Sequence, residues 1–213
     1  QVTRAYWEKL NSNPSWQKDE RIRCSEEPWY WLCNYVYTIR RDEFTDASSV
    51  ERFPAQEYLR HIFHHCFTEP FLAIDKSRQM KLTWLMVAYE LWWAQFRPNE
   101  LITVQTKKER DADEELIKRA HFICQQQPGW LLPGKPKRTF CRLEFPESNS
   151  LILGIPSGPD QIRSHNPSRY FLDECGFLEG EFDECRAAAL ACCKDIKLVS
   201  SAMPGQWADF IDE

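Results

Sequence analysis

The stretch FLAIDKSRQMKLTW, residues 71–84, constrains this chain more than any other, because an apolar run, a polar loop and a helix opening follow one another in it without a gap. Phe71-Leu72-Ala73-Ile74 predicts a short buried strand, Asp75 to Lys81 a tight loop, and Leu82 onward an amphipathic helix with Leu85, Ala88, Tyr89 and Trp92 on one face. A loop between a strand and a helix N-terminus turns backbone N–H groups and the positive end of the helix dipole toward one point, which stabilises an anion there. Thr83 sits where such a loop supplies a hydroxyl to magnesium.

Against the phosphate-loop pattern G-x-x-x-x-G-K-[ST], only that hydroxyl fits. Lys76 and Lys81 stand where the two glycines belong, and Leu82 where the lysine belongs. On its own the loop reads better as a polar strand-to-helix connection, and what changes the balance lies further along.

A chain of 213 residues with 43% hydrophobic content can bury a sizeable core in one large domain or two small ones. The sequence shows no signal peptide and no apolar run near the ~18 residues of a membrane span, so a soluble protein with no membrane partner is expected. The nine cysteines are scattered without a C-x-x-C pair and read as reduced thiols. His61, His64 and His65 have only Cys66 beside them and read as helix-surface residues before they read as a metal site. A net charge of −5 gives no global attraction to nucleic acid, so a DNA contact must be local; Lys135, Lys137, Arg138 and Arg142 form the one basic cluster, a solvated loop or a phosphate-backbone contact.

The first 50 residues are polar except where Pro28 opens a turn and Trp29, Leu32, Cys33 and Val36 repeat at helical spacing, which predicts one lead-in helix. Phe53-Pro54-Ala55-Gln56 then opens a second helix with Leu59, Ile62, Phe63 and Cys66 inward and Gln56 in its first turn, where an amide can meet a base edge. Leu101 to Val104 reads as a buried strand. Thr106-Lys107-Lys108-Glu109 has capping-box spacing ahead of a helix with Leu116, Ile117, Ala120 and Ile123 inside. Residues 127 to 138 read as loop, and 141–145 with 151–155 as an inserted hairpin. Strand and helix in alternation mean a mainly parallel α/β sheet.

Arg169 to Glu174 is a buried strand ending in two carboxylates, at the sheet edge where ligands bind in open parallel sheets. Neighbours on a strand point to opposite sides, so Asp173 is expected to hold a magnesium shell while Glu174 orients and deprotonates a water. Glu181 to Lys194 reads as a helix and Ile196 to Val199 as a strand ending in Ser200-Ser201-Ala202, hydroxyls that sense a γ-phosphate or form a plain turn.

The order Phe53-Pro54-Ala55-Gln56, Lys76-Ser77-Arg78-Gln79-Met80, Ile162-Arg163-Ser164, Tyr170-Phe171-Leu172-Asp173-Glu174 and Ser200-Ser201-Ala202-Met203-Pro204-Gly205 resembles the ATPase domain of a tailed-bacteriophage large terminase subunit, over nearly the whole chain from about Pro28. The resemblance implies an ASCE-type P-loop NTPase: a helical lead-in over residues 1–50 and a core over 51–213, with a mainly parallel sheet flanked by helices. It implies Mg²⁺-dependent ATP hydrolysis that drives double-stranded DNA into a procapsid, in the host cytoplasm at the portal. The implied partners are the DNA, the portal protein, the small terminase subunit and further copies in a ring, the isolated domain being a monomer. Carried over by position, Gln56 reads adenine, and Lys76, Ser77, Arg78, Gln79, Met80, Lys81, Leu82 and Thr83 cradle the phosphates, Arg78 and Thr83 lying over phosphate and magnesium. Asp173 and Glu174 carry the chemistry, and Ser200 and Ser201 the coupling. Arg163 falls where relatives are thought to carry an arginine finger for the neighbouring subunit, and reads equally as a surface arginine. Lys76, at the start of the loop, is favoured over Lys81 as the phosphate lysine, since a lysine in a glycine position strains or reshapes the loop. Family members carry a nuclease domain after the motor; the expectation is an excised motor domain with no nuclease residues. The rival reading is a catalytically silent scaffold or DNA-binding module with the same fold, and a helicase-type motor ranks below both.

Overall fold

Three helices open the chain in the computed structural model, which describes residues 2–41, 48–78, 80–178 and 180–212: α1 (Arg4–Ser12), α2 (Pro14–Glu26) and α3 (Pro28–Tyr35). Only the third is legible as an apolar stripe. The first two bury little, Leu10 in one and Glu20 and Cys24 in the other, and are started by caps: Thr3 accepts from the Tyr6 amide and Asn13 from those of Ser15 and Trp16, with Pro14 pre-set for the first turn. Glu20, 2% exposed, then accepts hydroxyl bonds from Tyr6 at 2.7 Å and from Tyr30 and Tyr35 at 2.6 Å. Such bonds offset the cost of burying a carboxylate, and this one ties all three helices together.

An antiparallel hairpin of β1 (Tyr37–Arg41) and β2 (Ser48–Arg52) leads into α4 (Glu57–Thr68), β3 (Phe71–Lys76), α5 (Leu82–Phe96) and β4 (Leu101–Gln105). α5 is not amphipathic as expected, because twelve of its fifteen residues are buried. The sheet covers one side; on the other the Trp92 indole donates to the Cys24 carbonyl of α2 at 3.0 Å, and the Gln95 amide donates at 2.9 Å to Gln127, just past the segment Lys118–Gln126. A helix apolar all round is one enclosed all round.

Next come α6 (Glu109–Asp111), a π-helical turn (Ala112–Ile117) and α7 (Lys118–Gln126), with Leu116, Ile117, Ala120 and Ile123 buried as the spacing predicts. The expected capping box is absent here, since Lys108 is the cap residue and Thr106 donates to the Lys108 carbonyl at 2.9 Å. A 3₁₀ turn (Gly129–Leu131) precedes β5 (Lys137–Thr139), β6 (Arg142–Phe145) and β7 (Ser150–Ile155), so the expected loop already turns to strand at Lys137. The hairpin is not an insertion standing apart: β7 pairs in parallel with β4, and β6 and β5 extend the same sheet antiparallel. α8 (Pro159–His165), β8 (Arg169–Asp173), a 3₁₀ turn (Cys175–Phe177), α9 (Phe182–Cys192), β9 (Asp195–Ser201) and α10 (Gln206–Asp212) complete the order.

The seven-stranded sheet runs β3-β9-β8-β4-β7-β6-β5 and is parallel from β3 to β7. Alternation feeds a core on each face. From β8, Phe171 joins the side of α3, α4, α5 and α7, while Tyr170 and Leu172 join Ile162, Phe182 and Trp207 on the other. The last strand in sequence thus lies between β3 and β8, and the tips of those two flank it.

Candidate functional site

β3 runs two residues further than its sequence suggests, pairing Asp75 with Ser200 and Lys76 with Ser201 of β9. Ser77 and Arg78 are exposed, and Gln79 lies outside the described residues. The Met80 carbonyl accepts from the Tyr58 hydroxyl at 3.2 Å. Lys81 caps α5 in the left-handed conformation, φ 56° and ψ 12°, the backbone a glycine adopts most readily. Leu82, where the usual pattern has lysine, is 2% exposed and belongs to the core. The Lys81 ammonium donates to Glu51 at 3.3 Å and to the Ile39 carbonyl at 3.4 Å.

From the start of α5, the Thr83 hydroxyl donates to Asp173 Oδ2 at 2.8 Å. Two strand tips separated by β9 therefore meet through one hydrogen bond. Asp173 is 5% exposed, and its other oxygen accepts the Glu174 amide at 3.1 Å. Burial pushes the Asp173 carboxyl up from the ordinary carboxylate range; the Thr83 bond, the Lys76 charge, the Glu174 amide and the Arg119 charge hold it down in part.

Glu174 does not continue the strand. Its backbone is left-handed, φ 60°, so the two acids diverge through that turn and not through strand pleat, and Glu174 is exposed. Its carboxyl is also raised, by burial first and by Asp173 next, against the pull of Lys76. Lys76 is thus the cation felt by both acids, whereas Lys81 is held on the hairpin.

Ser200 is fully buried; its oxygen accepts the Gly176 amide at 2.9 Å and its hydroxyl donates to the Ser201 carbonyl at 3.0 Å. That ties β9 to the turn following the acids. A Cβ on Gly176 would stand 2.8 Å from Met203 Cβ and 3.0 Å from Ser200 Oγ, so this turn needs glycine for close approach. Gln56 is exposed and lies at the cap position, one residue ahead of the first turn where the sequence put it. Arg163 is exposed in the last turn of α8 and pairs with Asp160 at 3.1 Å. The structure joins Thr83 to Asp173, with Glu174 next in the chain and the Lys76 charge acting on both acids; Gln56 and Arg163 have no bond to that group among the described residues. Tyr58 and Glu51, which touch the loop, were missed because both fall off any apolar stripe.

Among the described residues no group of three or more His, Cys, Asp or Glu side chains could hold a metal ion. Magnesium needs none, since it takes one or two protein oxygens and completes its shell with water and phosphate, and the Thr83 hydroxyl beside the Asp173 carboxylate is such a donor set. His61 and His64 are exposed on α4. No helix among the described residues is long and apolar enough to cross a membrane.

No family model matches the sequence, and no curated protein matches it. Among solved structures the chain is similar to the HK97 bacteriophage large terminase, at 12% identity and a TM-score of 0.60 over 84% of this chain and 38% of that one. It is also similar to the large terminase from a thermophilic bacteriophage, at 11% identity and 0.55 over 70% of this chain and 39% of that one. The same thermophilic-phage protein in complex with ADP gives 13% and 0.53 over 69% and 39%. The chain therefore spans less than two fifths of the length of those proteins. What is shared is the fold, a mainly parallel sheet flanked by helices as it occurs in those phage large terminases.

Proposed function

We propose that this chain is the ATP-hydrolysing motor domain of a phage large terminase, with residues 1–50 as its helical lead-in and 51–213 as the ATPase core. The observation that carries the reading is the Thr83 to Asp173 bond, with Glu174 next in the chain, at the carboxyl edge of a parallel sheet. Likeness of fold to phage large terminases, one of them in complex with ADP, supports it.

In this reading the triphosphate lies on the turn before α5, against the free amides at the start of that helix. Lys76 offsets its charge, and Arg78 covers it from the loop. Thr83 and Asp173 would hold Mg²⁺, which would supply positive charge against that of the phosphates. Glu174 orients the attacking water and takes its proton. Gln56 meets the base. Ser200, bonded to the Gly176 amide, and Ser201, in register with Lys76, carry the state of the site into β9. Double-stranded DNA, portal protein, small terminase subunit and a ring of copies at the procapsid portal in the host cytoplasm are the partners this role requires, and Arg163 would act across subunits.

The test is phosphate release with and without Mg²⁺. Glu174→Gln is expected to lower turnover at least ~10²-fold while nucleotide still binds, and Lys76→Ala to weaken binding where Lys81→Ala does so much less. Equal release by wild type and Glu174→Gln would instead favour the silent scaffold.

A further inference from the structure

Two adjacent loop residues, Met80 and Lys81, are each fastened to a different element outside the loop. The Tyr58 hydroxyl on α4 donates to the Met80 carbonyl at 3.2 Å, and the Lys81 ammonium donates to Glu51 on β2 at 3.3 Å and to the Ile39 carbonyl on β1 at 3.4 Å. A trans peptide holds its C=O and N–H antiparallel. With the Met80 carbonyl turned to Tyr58, the Lys81 amide faces the other way. The hairpin is itself fixed at its base, where the Phe53 amide donates to the Val36 carbonyl at 2.9 Å and Phe53 is buried.

A glycine at position 81 would adopt φ 56° at no steric cost, whereas a lysine there is strained. Its side chain, only a quarter exposed, reaches back to the hairpin with an ammonium that is then committed away from the cradle. We propose that Tyr58 and Glu51 are positioning residues that set the phosphate loop from outside, Tyr58 by orienting the Lys81 amide and Glu51 by anchoring Lys81, so that a loop without glycines presents its amides to a nucleotide phosphate. This rests on the nucleotide reading above, and it assigns Lys81 a tethering role in place of phosphate contact. Neither Tyr58 nor Glu51 touches a reacting atom, so their effect falls on affinity and KM.

The test uses the whole chain and a non-hydrolysable ATP analogue with Mg²⁺. Tyr58→Phe and Glu51→Gln, both conservative and on partly exposed side chains, are each expected to weaken binding by roughly three- to tenfold, raising KM with kcat nearly unchanged. The charge swap Glu51→Lys with Lys81→Glu restores the pair and is expected to return affinity to within about twofold of wild type. A carboxylate at a phosphate-contacting position would repel the ligand, so loss of binding in the swap overturns the proposal, as do unchanged affinities in both single variants. Hydrogen exchange of the ligand-free protein separates this from failure of the nucleotide reading: Glu51→Gln and Lys81→Ala should expose the amides of β1 and β2, and the swap should protect them again. That pattern in a protein that binds no nucleotide supports the tether and sinks the ATP reading; unchanged exchange in Lys81→Ala overturns the tether.

Discussion

Glu90 shows how much one buried residue can cost. It lies on α5 with 1% of its surface exposed, and neither carboxylate oxygen has a hydrogen-bond partner among the described residues. Burial pushes its carboxyl up to about 8, Arg169 and Lys197 pulling it down and Asp195 and Glu100 pushing it further up. Since the folded value lies above the unfolded one, the native state binds the extra proton. The contribution is complete below the ordinary carboxylate range and is lost as pH rises toward about 8. Chemical denaturation of the ligand-free protein should show stability falling by up to ~1.4 kcal/mol per pH unit across that interval, and Glu90→Gln should flatten the decline. The same slope in wild type and variant would place the proton elsewhere. Nothing in the sequence separates Glu90 from a solvated helix glutamate except its apolar neighbours Tyr89, Leu91 and Trp92.

Among the elements, α5 best shows what was and was not legible. Its start at Leu82 and the strand before it follow from apolar spacing and loop polarity. Its burial on all sides does not, because the covering helix α2 is held by its cap and by one tyrosine-bonded carboxylate, features with no periodic signal. The acid pair was legible as a strand end, but the left-handed turn at Glu174 was not, since a non-glycine in that conformation leaves no mark in composition. Thr106 spelled a capping box that its own bond to Lys108 displaced. Leu82 carries the sharpest consequence. Leu82→Lys restores the lysine of the usual phosphate-loop pattern, yet it places an unpaired charge in a core position. The expected result is a loss of about 3 kcal/mol or more of stability with no gain in nucleotide affinity. A thermal melt with a nucleotide titration checks both, and tighter binding in a stable Leu82→Lys protein would reverse the assignment of the loop.

For the molecule as a whole, the lead-in is part of the core cover. Removing residues 2–27 would uncover Trp92 and leave the Tyr30 and Tyr35 hydroxyls without Glu20, at a cost of about 3 kcal/mol or more. Such a truncation should melt well below the full chain or aggregate, and an unshifted melting temperature would show the lead-in to be separable. If Arg163 serves a neighbouring subunit, turnover per chain should rise with protein concentration and Arg163→Ala should remove that rise without altering dilute activity; a flat profile in both excludes the role. The placement of β9 between β3 and β8 has a consequence in time as well as in space. During synthesis β3 and the loop after it emerge from the ribosome long before β9, while β8 precedes β9 by a single α-helix, and the long-range β3–β9 pairing is slow to form. A nascent chain ending at Lys194 carries Thr83 and Asp173 but lacks the strand that stands between β3 and β8, so on the ATPase reading proposed above the site is assembled only when β9 arrives.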